Sequence, residues 1–305
     1  MSTLTVASSP HIRHNDSTKS IMLDVLIALS PAAIGGVVLF GLRALLVILT
    51  CVAASVLLEW LCCIVFKRPN TCGDLSAAVT GLLIAMNLPA TIPLWMAVIG
   101  CIVAIVVVKQ LFGGIGHNFV NPAITARIVL TVSFASAMTN WVKPLSVDAI
   151  TTATPLSSPD FDANKLELLL GIRGGCIGET SAALLILGGI YLIVRRVISP
   201  AIPVSFILTA TVLSAIFGYD PIVALLSGGL LLGAIFMATD YVTSPTSTLG
   251  KVIFGIGCGV ITAVIRKFGA LPEGVSFAII LMNILVPHIN TLTMPKPFGF
   301  NKGDK

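Results

Sequence analysis

The stretch Asp148–Leu156, DAITTATPL, sets three threonines within four positions, between an acid and a proline. Thr154 follows the small Ala153 and offers an accessible hydroxyl as a nucleophile. The same hydroxyl also suits a cap on a turn or helix before Pro155, and spacing alone leaves both readings open. Four further acids lie in or beside apolar runs: Asp24, Glu59, Asp74 and Asp240. A carboxylate in a bilayer core is costly, so it faces a cavity, a partner or an ion path. Asp24, inside IMLDVLIALSP, is the ion-path candidate, with solvation near the interface as the alternative. Glu59 reads as an ion pair with nearby Lys67 and Arg68, Asp74 as a cap on the next helix, and Asp240 as a hydrated loop residue.

Other reactive signatures are sparse. QLFGGIGHNFVNPAIT offers glycines for close backbone approach and polar edges at His117, Asn118 and Asn121. It lacks the third glycine of a dinucleotide fingerprint and follows an apolar helix, so it reads as a tight turn before a Pro-initiated helix. The four histidines are dispersed, and the sequence has no HExxH, P-loop or GxSxG motif. Seven cysteines without a CxxC pair, mostly in apolar runs, read as small buried hydrophobes. No metal site is expected from this chain alone.

The elements that must position these groups belong to a membrane protein. Hydrophobic residues make up 56% of the 305 positions and charged ones only 10%, far below the ~25% of soluble domains. The net charge of +5 sits near helix ends and forms no basic face, which argues against nucleic-acid binding. The N-terminal stretch has no apolar signal-peptide core and reads as a polar tail. Ten apolar segments are candidate spans: 21–41, 44–66, 75–88, 93–111 and 124–141, then 179–194, 202–218, 222–238, 251–266 and 274–291. The third and eighth are short enough to be half-spans.

The expected organisation is a tail (1–20), a first membrane half (21–141), an external loop (142–178), a second membrane half (179–292) and a second tail (293–305). With the N-terminus inside, twelve of the eighteen Lys and Arg residues fall on the cytoplasmic side and six outside. Both termini are then cytoplasmic, and the loop bearing Thr154 is external. GHNFVNPA (116–123) and TDYVTSPT (239–246) echo each other, each with an aromatic–Val pair before a proline. Five spans on each side of the loop suggest two inverted repeats in an all-α integral membrane protein, as in many transporters.

DAITTATPL resembles a flavin-attachment motif of acid, Ser/Thr, small residue, Ala, Thr, any residue and Leu. Asp148, Thr151, Thr152, Ala153, Thr154 and Leu156 match it, with Thr152 where many members carry glycine. SPHIRHNDSTKSIMLDVLIALSPA, DLSAAVTGLLIAMNLP, GGIGHNFVNPA and ATDYVTSPTSTLG follow in the expected order over nearly the whole chain. Together they resemble the D subunits of Rnf ion-translocating ferredoxin:NAD+ oxidoreductases and the homologous B subunits of sodium-pumping NADH:quinone reductases.

The resemblance implies that a flavin transferase joins the phosphate of FMN to Thr154 on the external face, with Asp148, Thr151, Thr152, Ala153 and Leu156 as motif or pocket residues. Attachment through phosphate leaves the isoalloxazine ring free to exchange electrons. A second, non-covalent flavin such as riboflavin is also implied, with no residues assigned. The expected role is an electron-carrying subunit of a Na+ or H+ translocating complex in a prokaryotic cytoplasmic membrane. Such a chain is not catalytic alone; it works with the other Rnf subunits and is embedded in lipid. Two rival readings are a channel or secondary transporter without a redox cofactor, and a structural anchor.

Overall fold

A computed structural model describes residues 17–142, 144, 165–171, 174–179, 181–269 and 274–294. The described elements are helical. In the first half they are α1 (Thr18–Phe40), α2 (Leu42–Val65), a 3-10 turn at Cys72–Asp74, α3 (Ser76–Met86) and α4 (Leu94–Ile102). From Val103 to Gln110 α4 continues as a π-helix, and α5 (Pro122–Ser133) and α6 (Ala135–Met138) follow. After α7 (Lys165–Leu170) come α8 (Ala182–Val194), α9 (Ala201–Ile216), α10 (Pro221–Leu226) and α11 (Leu230–Leu232). A π-helix, Gly233–Met237, extends α11, and α12 (Thr248–Phe268) and α13 (Val275–Thr293) complete the described chain.

Helix occupies each of the ten expected segments. Four helices, α1, α2, α12 and α13, are long and apolar enough to cross a membrane by length and composition; five shorter apolar helices accompany them. Large apolar side chains face outward, among them Leu42 (69% exposed), Val65 (72%) and Leu292 (83%). Such a surface suits lipid, which provides no penalty for it. In contrast, all of α3 except Ala78 is buried, and so is α11 with its π extension.

Two of the expected spans break, each for a local reason. Segment 222–238 is interrupted at Ser227–Gly229, where Gly228 and Gly229 take φ of 67° and 66°. Segment 124–141 leaves helical geometry at Phe134, whose ring sits edge-on to Trp95 at 5.4 Å. Pro31 inside α1 removes an amide donor, and Ser30 compensates by giving its hydroxyl to the carbonyl of Ile27 at 2.8 Å. The glycines of FGIGCGV permit close packing as expected: a Cβ on Gly259 would lie 2.6 Å from the Thr209 Cβ on α9.

The two halves repeat a neighbour pattern. α2 packs on α3 and α4, and α9 packs on α10 and α12; α4 meets α5, and α12 meets α13. Across the halves, α1 lies against α8 and α5 against α13. In this correspondence the connection after α4 (basic residue, then Phe112–Gly113) matches the one after α12 (Lys267, Phe268–Gly269). The counterpart of TDYVTSPT, which follows α11, is Asn87–Pro93 after α3. The echo between GHNFVNPA and TDYVTSPT therefore joins connections that are not equivalent.

Candidate functional site

Where α1, α3, α5 and α8 converge with the ends of the two π-helices, they line a cavity of about 320 Å³ that opens beside the exposed Thr18, Gly116 and Tyr241. Its walls are apolar, with Ile21, Met22, Val79, Leu83, Leu192 and Phe236 among them. Its polar edge comes from two connections and two helix ends: Asn118, Thr239, Asp240, Ser76, Thr80 and Lys109. Cofactor sites have this character, a largely apolar cleft of about 300–1,000 Å³ with few fixed polar groups.

Local chemistry sets each wall. Asn121 caps α5 by accepting from the amides of Ala123 and Ile124 at 3.0 and 3.3 Å, with Pro122 as first helical residue. The Asn121 amide also donates to the carbonyl of Met237 at 3.0 Å, tying α5 to the end of the second π-helix. Asn283 of α13, in the amide orientation that satisfies its neighbours, donates to the Thr243 carbonyl at 3.0 Å and accepts from the Asn121 backbone N–H at 3.2 Å. The turn GGIG reaches the cavity through Ile115 and Gly116, on a backbone where Gly113, Gly114 and Gly116 all have positive φ.

Asp240 is not merely hydrated. It is half-buried at the cavity edge and accepts from the Thr243 hydroxyl at 3.0 Å. Burial pushes its carboxyl above the ordinary range, against the lowering bonds from Thr243 and Asn118.

Glu59 pairs with a different partner from those its sequence neighbours suggest. Lys109, at the end of the first π-helix, donates to its two oxygens at 2.9 and 3.1 Å. Gln110 and Thr71 each add a bond at 3.0 Å, so the buried carboxylate is well satisfied. Lys109 also donates to the Ser76 hydroxyl at 2.6 Å, and Ser76 donates from both its amide and hydroxyl to Asp74 at 2.8 and 2.6 Å. The N-cap of α3 is Leu75, without a side-chain cap bond; Asp74, one residue earlier, accepts from the first helical amide instead. Asp24 is held by the Tyr191 hydroxyl at 2.8 Å and Arg195 at 3.2 Å, which places it in an ion pair between α1 and α8.

A second buried network lies where α3 ends. Its last carbonyls would be stranded, but the 174–179 segment covers them. The amides of Ile177 and Gly178 donate to the carbonyls of Leu88 and Met86 at 3.0 and 2.8 Å, and the Cys176 thiol donates to the Asn87 carbonyl at 3.1 Å. Arg127 from α5 donates to the Asn87 side chain and to Glu179 at 3.0 Å. The Glu179 carboxylate in turn crowds the start of α11: a Cβ on Gly229 would lie 2.5 Å from its Oε1. A cation therefore sits by the C-terminal end of one short helix and an anion by the N-terminal end of another, as their dipoles favour.

Charge counting along the sequence does not reveal this pair. It assigns Arg127 and Lys109 to the cytoplasmic side, yet both are buried and paired and carry no topological weight. Without them ten residues remain against six, still the same bias. One signal in the sequence points to the pair: an Arg six residues into an apolar helix, which needs an acid wherever it is buried.

Asp148, Thr151, Thr152, Ala153, Thr154 and Leu156 lie outside the described residues. The described segments nearest to them on the C-terminal side are α7, where Leu168 is buried, and 174–179, which caps α3.

Comparison with known proteins agrees with these features over the whole chain. Residues 5–299 match the model of the NQR2, RnfD, RnfE family. The chain is 47% identical to the D subunit of the Na(+)-translocating ferredoxin:NAD(+) oxidoreductase complex of Acetobacterium woodii, over 98% of this chain and 96% of that protein. It is 44% identical to the D subunit of the proton-translocating ferredoxin:NAD(+) oxidoreductase complex of Clostridium ljungdahlii, over 97% and 96%. With the D subunit of an ion-translocating oxidoreductase complex of Escherichia coli the identity is 34%, over 98% and 99%. The chain belongs to the NQR2, RnfD, RnfE family.

Proposed function

We propose that this chain is an electron-carrying membrane subunit of an ion-translocating ferredoxin:NAD(+) oxidoreductase complex, holding FMN on Thr154 and a second, non-covalent flavin. The observation that carries the reading is DAITTATPL in a chain similar along its whole length to the D subunits of such complexes. In the attachment step the Thr154 hydroxyl attacks the FMN phosphorus of FAD. An O–P bond forms, the pyrophosphate P–O bond breaks, the hydroxyl proton is lost and AMP leaves, assisted by a flavin transferase. Asp148, Thr151, Thr152, Ala153 and Leu156 shape the motif that the transferase reads.

The cavity fits the second flavin by its chemistry. Ile21, Met22, Val79, Leu83, Leu192 and Phe236 supply apolar surface for a flat ring, while Asn118, Thr80, Thr239 and Asp240 supply polar contacts for its edge and a polyol. The one cation among the described lining residues, Lys109, is already matched by Glu59, so the cavity suits a flavin without phosphate. Such a ring accepts and returns electrons; the chain's residues bind it, orient it and keep water away.

In this reading the complex lies in a prokaryotic cytoplasmic membrane, with both termini in the cytoplasm and the Thr154 loop outside, as the Lys and Arg bias supports. The reading is tested by co-expressing the full chain with a flavin transferase and purifying it. The denatured band should fluoresce, and the supernatant should contain a second, released flavin. A dark band of unmodified mass, with no released flavin, would leave the channel or anchor reading in its place.

Asp24 is the proposed ion-path residue, since its carboxylate is the charged group that joins α1 to α8. Asp24→Asn keeps an acceptor for Tyr191 and loses the charge facing Arg195. Ion uptake into sealed vesicles should fall while flavin loading stays unchanged. Equal uptake by variant and parent would remove Asp24 from the path.

A further inference from the structure

Most of the cavity wall is apolar, and the titratable side chains among its described lining residues are Lys109, Asp240 and Tyr241. On one side of this cavity a continuous chain of hydrogen bonds leads outward. Lys109 lines the cavity and donates to Ser76 at 2.6 Å; Ser76 donates to Asp74 at 2.6 Å. Ser76 and Lys109 are buried, at 5% and 3% exposure, while Asp74 is half-buried beside the exposed Gly73. The path thus runs from the cavity to the surface turn in two hydrogen bonds.

We propose that Asp74, Ser76 and Lys109 form a proton relay that serves the cavity, an inference that rests on the non-covalent flavin assigned to it above. Lys109 gives a proton to the reduced ring, whose electrons come from the redox chain of the complex. Ser76 passes its hydroxyl proton to the neutral Lys109 amine and takes one from the carboxyl of Asp74. Asp74 refills from water, so one proton enters for each delivered. Glu59 drives the return: once Lys109 is neutral, the buried Glu59 carboxylate has lost its counter-charge, and reprotonation restores it. Gln110 and Thr71 fix Glu59 in place through bonds of 3.0 Å, so it holds Lys109 at the wall.

Other charged and titratable groups surround the relay. Asp240 lines the cavity, Arg68 donates to the Gln110 carbonyl at 3.0 Å, and Cys72 belongs to the same turn as Asp74. None of them bonds Ser76, so Ser76→Ala breaks the Asp74 branch and leaves standing the Lys109–Glu59 pair, which reaches the same turn separately through Thr71.

The test uses the assembled complex with Ser76→Ala and Asp74→Asn. Flavin is released by acid and quantified; reduction of the bound flavin is followed by stopped-flow absorbance in H2O and D2O. Both variants should keep the parent's flavin content and reduce about tenfold or more slowly. Small weak acids such as imidazole should restore part of the Ser76→Ala rate, which a packing defect would not allow. A parental rate and isotope effect in Ser76→Ala would overturn the relay while leaving the flavin site intact. Loss of flavin from Ser76→Ala alone would make Ser76 a binding group and overturn the relay too. Absence of released flavin from the parent complex would instead overturn the cavity assignment itself.

Discussion

Replacing Arg127 by alanine should destabilise the folded protein by about 3–5 kcal/mol, the usual cost of leaving one member of a buried ion pair alone. Arg127 is 6% exposed and ties α5 to two other parts of the chain: Asn87 at the end of α3, and the 174–179 segment through Glu179 and, at 3.6 Å, Cys176. Without the guanidinium, Glu179 stands in a tight space beside Gly229 with its charge unmatched.

The comparison that isolates the ion pair is a double variant. Arg127→Leu with Glu179→Leu removes both charges and should recover part of the loss seen in Arg127→Ala. Arg127→Lys should fall between parent and alanine, since an ammonium cannot reproduce the guanidinium fork. Thermal unfolding of the purified chain in detergent measures all three. A double variant no more stable than Arg127→Ala would show that packing, not charge, holds this junction.

The second large effect concerns Thr154. Thr154→Ala removes the only hydroxyl that the motif offers at its attachment position, so the covalent flavin should vanish completely. In-gel fluorescence of the denatured chain should fall to background while the released, non-covalent flavin stays at the parent's level. Ferredoxin-dependent reduction of NAD+ by the assembled complex should fall to background with it, because a carrier has left the chain of electron transfer. Thr154→Ser retains the nucleophile and should keep part of the loading. Thr151→Ala and Thr152→Ala should stay fluorescent. If either is dark while Thr154→Ala is bright, the attachment point has been assigned to the wrong hydroxyl.

Much of the fold is legible because lipid imposes a simple rule on sequence. Apolar runs of sufficient length read as helices, and all ten expected segments contain helix, with α1, α2, α12 and α13 the plainest. The shortness of 75–88 and 222–238 also foretells something real: α3 is an eleven-residue buried helix, and the second segment breaks at Gly228 and Gly229. Asn121 and Pro122 announce the start of α5 through capping chemistry that depends only on neighbours in sequence.

What sequence does not reveal depends on contacts between distant positions. Glu59 lies near Lys67 and Arg68, yet folding brings Lys109 to it across fifty residues. Asp240 reads as a loop residue because one of its partners, Asn118, comes from the other half of the chain. Arg127 and Glu179 are fifty-two residues apart and meet only because the 174–179 segment turns inward to cap α3. The cavity has the same origin: six elements contribute to its lining, and none of them alone carries a pattern that marks it.

The motif is the reverse case. DAITTATPL is read from residue types in order, and its meaning rests on the family to which the chain belongs. Composition and charge lead us to propose that it lies between two membrane halves on the external side, the side that a transferase acting outside the cytoplasm requires. The chemistry of attachment therefore bears on function more directly than any packing detail.

The most direct measurement is mass mapping of the full chain from cells that carry an active flavin transferase. After proteolysis, the peptide containing Asp148–Leu156 should carry one FMN phosphoester, and fragmentation should place it on Thr154. An unmodified peptide, recovered in full while other flavoproteins of the same cells are loaded, would contradict the proposed role as a carrier of covalent flavin.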